Sequence, residues 1–220
     1  LTLCGTCHGA NRPRALPQID GLTLPNLQAT MDQHFVHGLE LQLAVMGGDL
    51  EAAHRAAQGL ADAPLPPNTP APAVTYVEAM RAAATAGAAA PDLAAAAQSM
   101  GQIALACAGC HTASGGGPKE SLPAPPSSDK HMAMHLYGAY WLGYGVYAPN
   151  ERAWLEGAGA LGQGKLLVEG VPPTPEAEAL DAAVHALAVK AAATPAGPER
   201  AAVWAEVLSA CAPCHTKLPR

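Results

Sequence analysis

The sequence predicts an all-α protein made of two tandem sets of four helices, on three observations. Proline-rich stretches cut the 220 residues into pieces of helix length, because Pro cannot continue a helix. Between these breaks Ala, Leu, Glu and Arg dominate, and the period-two alternation of strands is absent. The order of the resulting segments then occurs twice along the chain.

The first helix is expected over residues 26–46, ending before Gly47-Gly48, and Asp49 is placed to cap a second over 49–61. The break Ala63-Pro64-Leu65-Pro66-Pro67-Asn68-Thr69-Pro70 follows. A third helix covers about 72–89, and a fourth starts at Pro91-Asp92 and runs into Cys107 and His111. The longest break runs from Gly115-Gly116-Gly117-Pro118 to Pro123-Ala124-Pro125-Pro126. Beyond it Ser128 or Asp129 opens a helix to about 147, and Asn150 caps the next, to about 163. Pro175-Glu176 opens the third of this set, and Pro198-Glu199 opens a fourth that runs into Cys211 and His215. The chain therefore divides into an N-terminal segment (1–23), a first helical domain (24–114), a Pro/Gly-rich linker (115–127) and a second helical domain (128–220).

The repeat also holds at single residues. With a shift of 101, Met31 falls on Met132, His34 on His135, Asp49 on Asn150 and Leu60 on Leu161. Half of the residues are hydrophobic, yet aromatics are few: three Trp, five Tyr and one Phe. Alanine favours helix but fills little volume, so bulky apolar cofactors would complete such a core. The net charge of −6 argues against a nucleic-acid partner.

Every cysteine belongs to one of three Cys-x-x-Cys-His pentapeptides: Cys4-Gly5-Thr6-Cys7-His8, Cys107-Ala108-Gly109-Cys110-His111 and Cys211-Ala212-Pro213-Cys214-His215. This spacing is the attachment signature of c-type haem. The two thiols add across the porphyrin vinyl groups and the adjacent histidine becomes the proximal iron ligand. Zinc ligation needs two cysteine pairs per tetrahedral site and leaves the repeated histidine unexplained, as does a disulfide framework. The expected cofactors are three covalently attached haem c groups. Thioether attachment takes place outside the cytoplasm, so the chain is expected to be exported, periplasmic or extracellular, with its signal removed. Leu1-Thr2-Leu3-Cys4 is not read as a lipoprotein box, because Cys4 is committed to haem. No unbroken run of 18 apolar residues occurs, so a spanning helix is not expected and no membrane anchor is visible.

Four helices with Cys-x-x-Cys-His near the end of the last resemble cytochrome c′, over about residues 24–111 and 128–215. The resemblance implies tandem antiparallel four-helix bundles, each closed by a C-terminal haem site. It also implies proximal ligands His111 and His215, with thioethers at Cys107, Cys110, Cys211 and Cys214. This sequence departs from that family in one respect. Cytochrome c′ leaves the distal face of its iron open, whereas here a histidine recurs in the first helix of both repeats. Cys4-Gly5-Thr6-Cys7-His8-Gly9, with Pro17-Gln18-Ile19-Asp20-Gly21, Leu27, Phe35 and Gly38, resembles the opening of a class I cytochrome c over about 35 residues. That likeness implies thioethers at Cys4 and Cys7 and His8 as proximal ligand. The whole chain thus resembles a trihaem c-type cytochrome.

Six histidines are not proximal: His34, His37, His54, His131, His135 and His185. In an up-down-up-down bundle the start of helix one lies beside the end of helix four. That places His34 opposite the motif at 107–111 and His135 opposite the motif at 211–215, as distal ligands. For the first haem, His37 is favoured as the neighbour of His34, and His131, one turn before His135, is the alternative. Met31 and Met46 are further options, and Met ligation would raise the potential. Met80, Met100, Met132 and Met134 are read as interior padding, and His54 and His185 as residues of solvated helix faces.

These readings lead to an electron carrier rather than an enzyme, with closely spaced, six-coordinate haems serving redox partner proteins. Two alternatives stay open: a haem enzyme or gas sensor with one open iron, and a subunit that stacks with other cytochromes in a conductive filament.

Overall fold

The computed structural model describes residues 24–65, 69, 71–114, 117–118, 121–164 and 174–217. Among them are eight α-helices and no strand. These are α1 (Leu24–Gly47), α2 (Leu50–Asp62), α3 (Ala71–Ala88), α4 (Leu93–Ser114), α5 (His131–Tyr147), α6 (Glu151–Gln163), α7 (Pro175–Ala193) and α8 (Glu199–Lys217). The all-α expectation is met, and the order is that read from the proline breaks.

Local chemistry sets the helix starts. Asp49 accepts a hydrogen bond from the Ala52 amide and Asn150 one from the Ala153 amide, so both expected caps are in place. Asp92 does the same for Ala95. Thr174 caps α7 with Pro175 in its first turn. The start of α5 differs from expectation. The Lys130 amide donates to the Ser127 carbonyl at 2.9 Å, so a turn occupies 127–130 and the helix begins at His131 with no side-chain cap.

Consecutive helices run antiparallel. The His37 ring of α1 lies against Gly59 of α2, and Ala57 of α2 meets Gly87 of α3. Along α3 and α4, Gly87 faces Ser99 while Tyr76 faces Gly109. The second set repeats this: Gly138 packs on Leu161 and Gly145 on Trp154 across α5 and α6. The Trp154 indole donates to the Ala191 carbonyl at 2.8 Å, joining α6 to α7. Lys190–Glu206 and Lys217–Glu176 pairs then run along α7 and α8. The last helix of each set also packs on the first, α1 on α4 and α5 on α8.

The two sets share one interior. Helix α4 lies against α8, α1 also against α8, and α5 against α4. One hydrophobic cluster runs without interruption from Leu41, Val45 and Leu60 through Met100 and Ile103 to Trp154, Trp204 and Leu208. Helix α4 is long and apolar enough, by length and composition, to cross a membrane. Its Ala96, Ala97, Met100, Ile103 and Ala104 are buried in this shared cluster.

Candidate functional site

Helix register puts the second and third motifs on single helix faces. Cys107, Cys110 and His111 occupy positions i, i+3 and i+4 near the end of α4, and Cys211, Cys214 and His215 do so on α8. The four cysteines are free thiols. Burial pushes the Cys107 and Cys211 thiols up to about 12, the neighbouring cysteine of each motif adding to it. Burial also raises Cys110 and Cys214, the latter with help from the Asp181 carboxylate. Cys4, Cys7 and His8 lie outside the described residues.

His111 is held from the other set of helices. Its Nδ1 donates to the Tyr147 carbonyl at 2.6 Å, at the end of α5. That bond fixes the tautomer and leaves Nε2 as the lone-pair nitrogen, the arrangement of a metal-ligating imidazole. Burial holds the His111 pKa below its ordinary value. Gly117 (φ +112) folds against this ring, at a backbone angle that suits glycine. The third motif makes a matching cross-contact, with Thr216 packed onto Gly48 at the turn between α1 and α2.

The two expected distal histidines are both buried. His34 has no hydrogen-bond partner on Nε2, and its pKa is lowered to about 4, by burial first and then by Arg81 and His37. It lies one turn before Gly38, which touches Met100 of α4, so the antiparallel run carries it toward the Cys107 end. His135 Nε2 is likewise without a hydrogen-bond partner, and the His135 pKa falls to about 3, by burial and then by His131 and His185.

His135 does not stand alone as His34 does. His131 Nε2, His185 Nε2 and His135 Nε2 lie 3.5, 3.7 and 3.8 Å from one oxygen of Asp181. The His131 and His135 rings are 4.0 Å apart. The Asp181 carboxylate also acts electrostatically on Cys214 of the third motif. His185 keeps a partly exposed face, and its Nε2 also hydrogen-bonds the Gly164 carbonyl at 3.0 Å and joins the cluster. His54 departs from the expected solvated face, because its Nε2 reaches the Ala90 carbonyl at 2.8 Å and draws the ring into part-buried surroundings. Met132, read as padding, is exposed, because the interior side of that turn is taken by Met134 and His135. His37 pairs with Glu40 at 3.0 Å on the rim of α1.

Sequence reasoning missed Asp181. A signal was present: Asp181 and His185 are one turn apart on α7, as His131 and His135 are on α5, and ligand-type pairs at i, i+4 share a helix face.

These residues fit a covalently attached porphyrin on three counts. Paired thiols and a histidine share one face, His111 has its Nδ1 engaged, and unpartnered Nε2 atoms sit on α1 and α5. Comparison with protein-family models, curated sequences and solved structures finds no match for this chain, so the reading rests on its own residues.

Proposed function

We propose that this chain is an exported trihaem cytochrome that carries electrons between redox partner proteins, built as tandem antiparallel four-helix bundles with an extra N-terminal haem segment. The observation that carries this reading is the use of all six cysteines in three Cys-x-x-Cys-His motifs. Haem supplies a one-electron iron couple held on the chain by two thioethers. The protein's own groups set its surroundings. His8, His111 and His215 serve as proximal ligands, and the Tyr147 carbonyl orients His111. His34 closes the distal face of the second haem. His135 occupies the equivalent place at the third, and His37, or else His131, closes the first. Burial keeps the His34 and His135 imidazoles neutral and able to bind metal. Contacts of α4 with α8 and α5 join the two sets of helices, which suits short electron steps.

A second reading is favoured by the cluster at Asp181. One iron face takes one histidine, and three are gathered there. If the cluster serves another purpose, the third iron keeps an open face and the protein is a haem enzyme or gas sensor.

Intact-mass spectrometry of the denatured protein tests the haem count, with three haem increments expected and no titratable thiol. Low-temperature EPR of the oxidised protein separates the two functional readings. Only low-spin irons fit the carrier, and one high-spin iron fits the open site.

A further inference from the structure

We propose that His131, His135 and Asp181 form a binding site for a non-haem transition-metal ion of the Zn²⁺ class. Donor atoms of these three residues lie within 4.8 Å of one another, on side chains that are buried or nearly so. An ion bound tetrahedrally at about 2.0–2.1 Å holds its ligands about 3.3 Å apart. The separations of 3.5 and 3.8 Å from Asp181 to His131 and His135 come within a few tenths of an ångström of that spacing. His185 Nε2, 3.7 Å from the same oxygen, stands ready as a fourth ligand on exchanging its bond to Gly164.

The second argument is electrostatic. The clustered Asp181 oxygen is buried and accepts no hydrogen bond. A carboxylate in that state carries a desolvation cost that a bound cation removes. The donor types choose the ion, because imidazoles with one carboxylate suit Zn²⁺, Fe²⁺ or Cu²⁺ rather than Ca²⁺ or Mg²⁺. The first repeat lacks the set. At the shift of 101 Thr30 stands for His131, and at the 104 residues that separate the second and third motifs Val77 stands for Asp181 and Arg81 for His185; the Arg81 guanidinium would repel a cation.

The site stands without any haem. Where the third haem is attached, the ion takes the His135 nitrogen that the carrier reading gives to iron. That consequence, and with it zinc uptake by the haem-loaded protein, rests on the second functional reading.

The test uses untagged, haem-loaded protein treated with a chelator, dialysed against Zn²⁺ and analysed for zinc and haem on the same samples. One zinc per chain is expected for the wild type and for His54→Gln, which lies outside every site proposed above. Asp181→Asn and His131→Gln should each weaken uptake at least about tenfold, in line with the loss of one ligand. Both are near-isosteric, and far-UV circular dichroism checks that the helices persist. A wild type that takes up no zinc, or uptake that survives Asp181→Asn, overturns the site. Zinc uptake that is lost in Asp181→Asn, in a protein with fewer than three haems, leaves the site standing and sinks the trihaem reading instead.

Discussion

Between α1 and α4 the interior is filled by Leu41, Val45, Met46, Leu60, Met80 and Met100, with alanine at most remaining buried positions. Between α5 and α8 it is filled by Trp154 and Trp204 with Leu142, Leu161 and Leu208, while Trp141 and Tyr144 form a separate buried cluster against Leu122 and Tyr137; all four aromatics are 2% exposed or less. All three Trp and four of the five Tyr lie in the second set of helices. Buried Arg200 belongs to that set too, over the Trp154 ring and 2.7 Å from Glu151, where the first set has Ala96. The helix order is the same, but the volume is supplied differently. The second set packs around large aromatic side chains, while the first packs on leucine, methionine and alanine.

The largest effect should come from removing the thiols. Cys107→Ser with Cys110→Ser should destabilise the loaded protein by on the order of 5 kcal/mol, taking about 200 Å² of apolar porphyrin surface removed from water. Cys211→Ser with Cys214→Ser should cost less, because Trp154, Trp204 and Tyr144 remain. Urea unfolding followed by circular dichroism compares the two. The reverse order would break the contrast between a thin core and a self-sufficient one.

Trp204→Ala tests the other side of that contrast. Its indole donates to the Ala139 carbonyl at 3.0 Å and its ring lies against Gly143. Truncation should cost about 3–5 kcal/mol, with part of the loss coming from the cavity left behind. Met100→Ala in the first set should cost less in the haem-loaded protein. Equal losses would show that both interiors are packed to the same density.

Two glycines sharpen the comparison at smaller scale. A Cβ on Gly157 would fall 2.6 Å from the Leu142 amide nitrogen and 2.7 Å from the Gly138 carbonyl, both backbone atoms that cannot give way. Gly157→Ala should therefore cost about 1–3 kcal/mol. A Cβ on Gly59 meets the His37 ring, at 2.8 Å, and that partly exposed side chain can swing away on giving up its Glu40 pair. Gly59→Ala should be neutral, or stabilising by up to about 1 kcal/mol through helix propensity. Thermal midpoints of the two variants should separate in opposite directions from the wild type.

The helices were legible because their punctuation is local. Asp49, Asn150 and Pro175 act on the turn they begin, and their effect needs no partner from elsewhere in the chain. The position of His34 and His135 was legible from the repeat. What escaped was the company His135 keeps. Asp181 is 46 residues away in the chain, on a helix whose facing side no local pattern reveals, and His185 reads as a surface residue until α7 is set against α5. The start of α5 escaped for the opposite reason, since a 127–130 turn competes with the cap that Asp129 would make.

The last comparison concerns acid. In the haem-free chain His34 titrates near 4 and His135 near 3, against 6.5 when exposed. Below pH 6.5 the unfolded chain therefore binds protons that the fold refuses, and stability falls as pH is lowered. The part due to His34 stops falling near pH 4, and the part due to His135 continues to about pH 3. The Asp181 carboxylate, 3.8 Å from His135, favours the imidazolium, yet desolvation and the two neighbouring histidines outweigh it. Each unit is worth about 1.4 kcal/mol, so the two sites should differ by roughly that amount between pH 4 and pH 3. Urea midpoints of His34→Gln and His135→Gln at pH 7, 5.5, 4 and 3 measure the difference. Both variants should flatten the acid loss, and only His135→Gln should still flatten it between pH 4 and 3. Identical profiles would mean that His131, His185 and Asp181 leave His135 in the same electrostatic surroundings as His34.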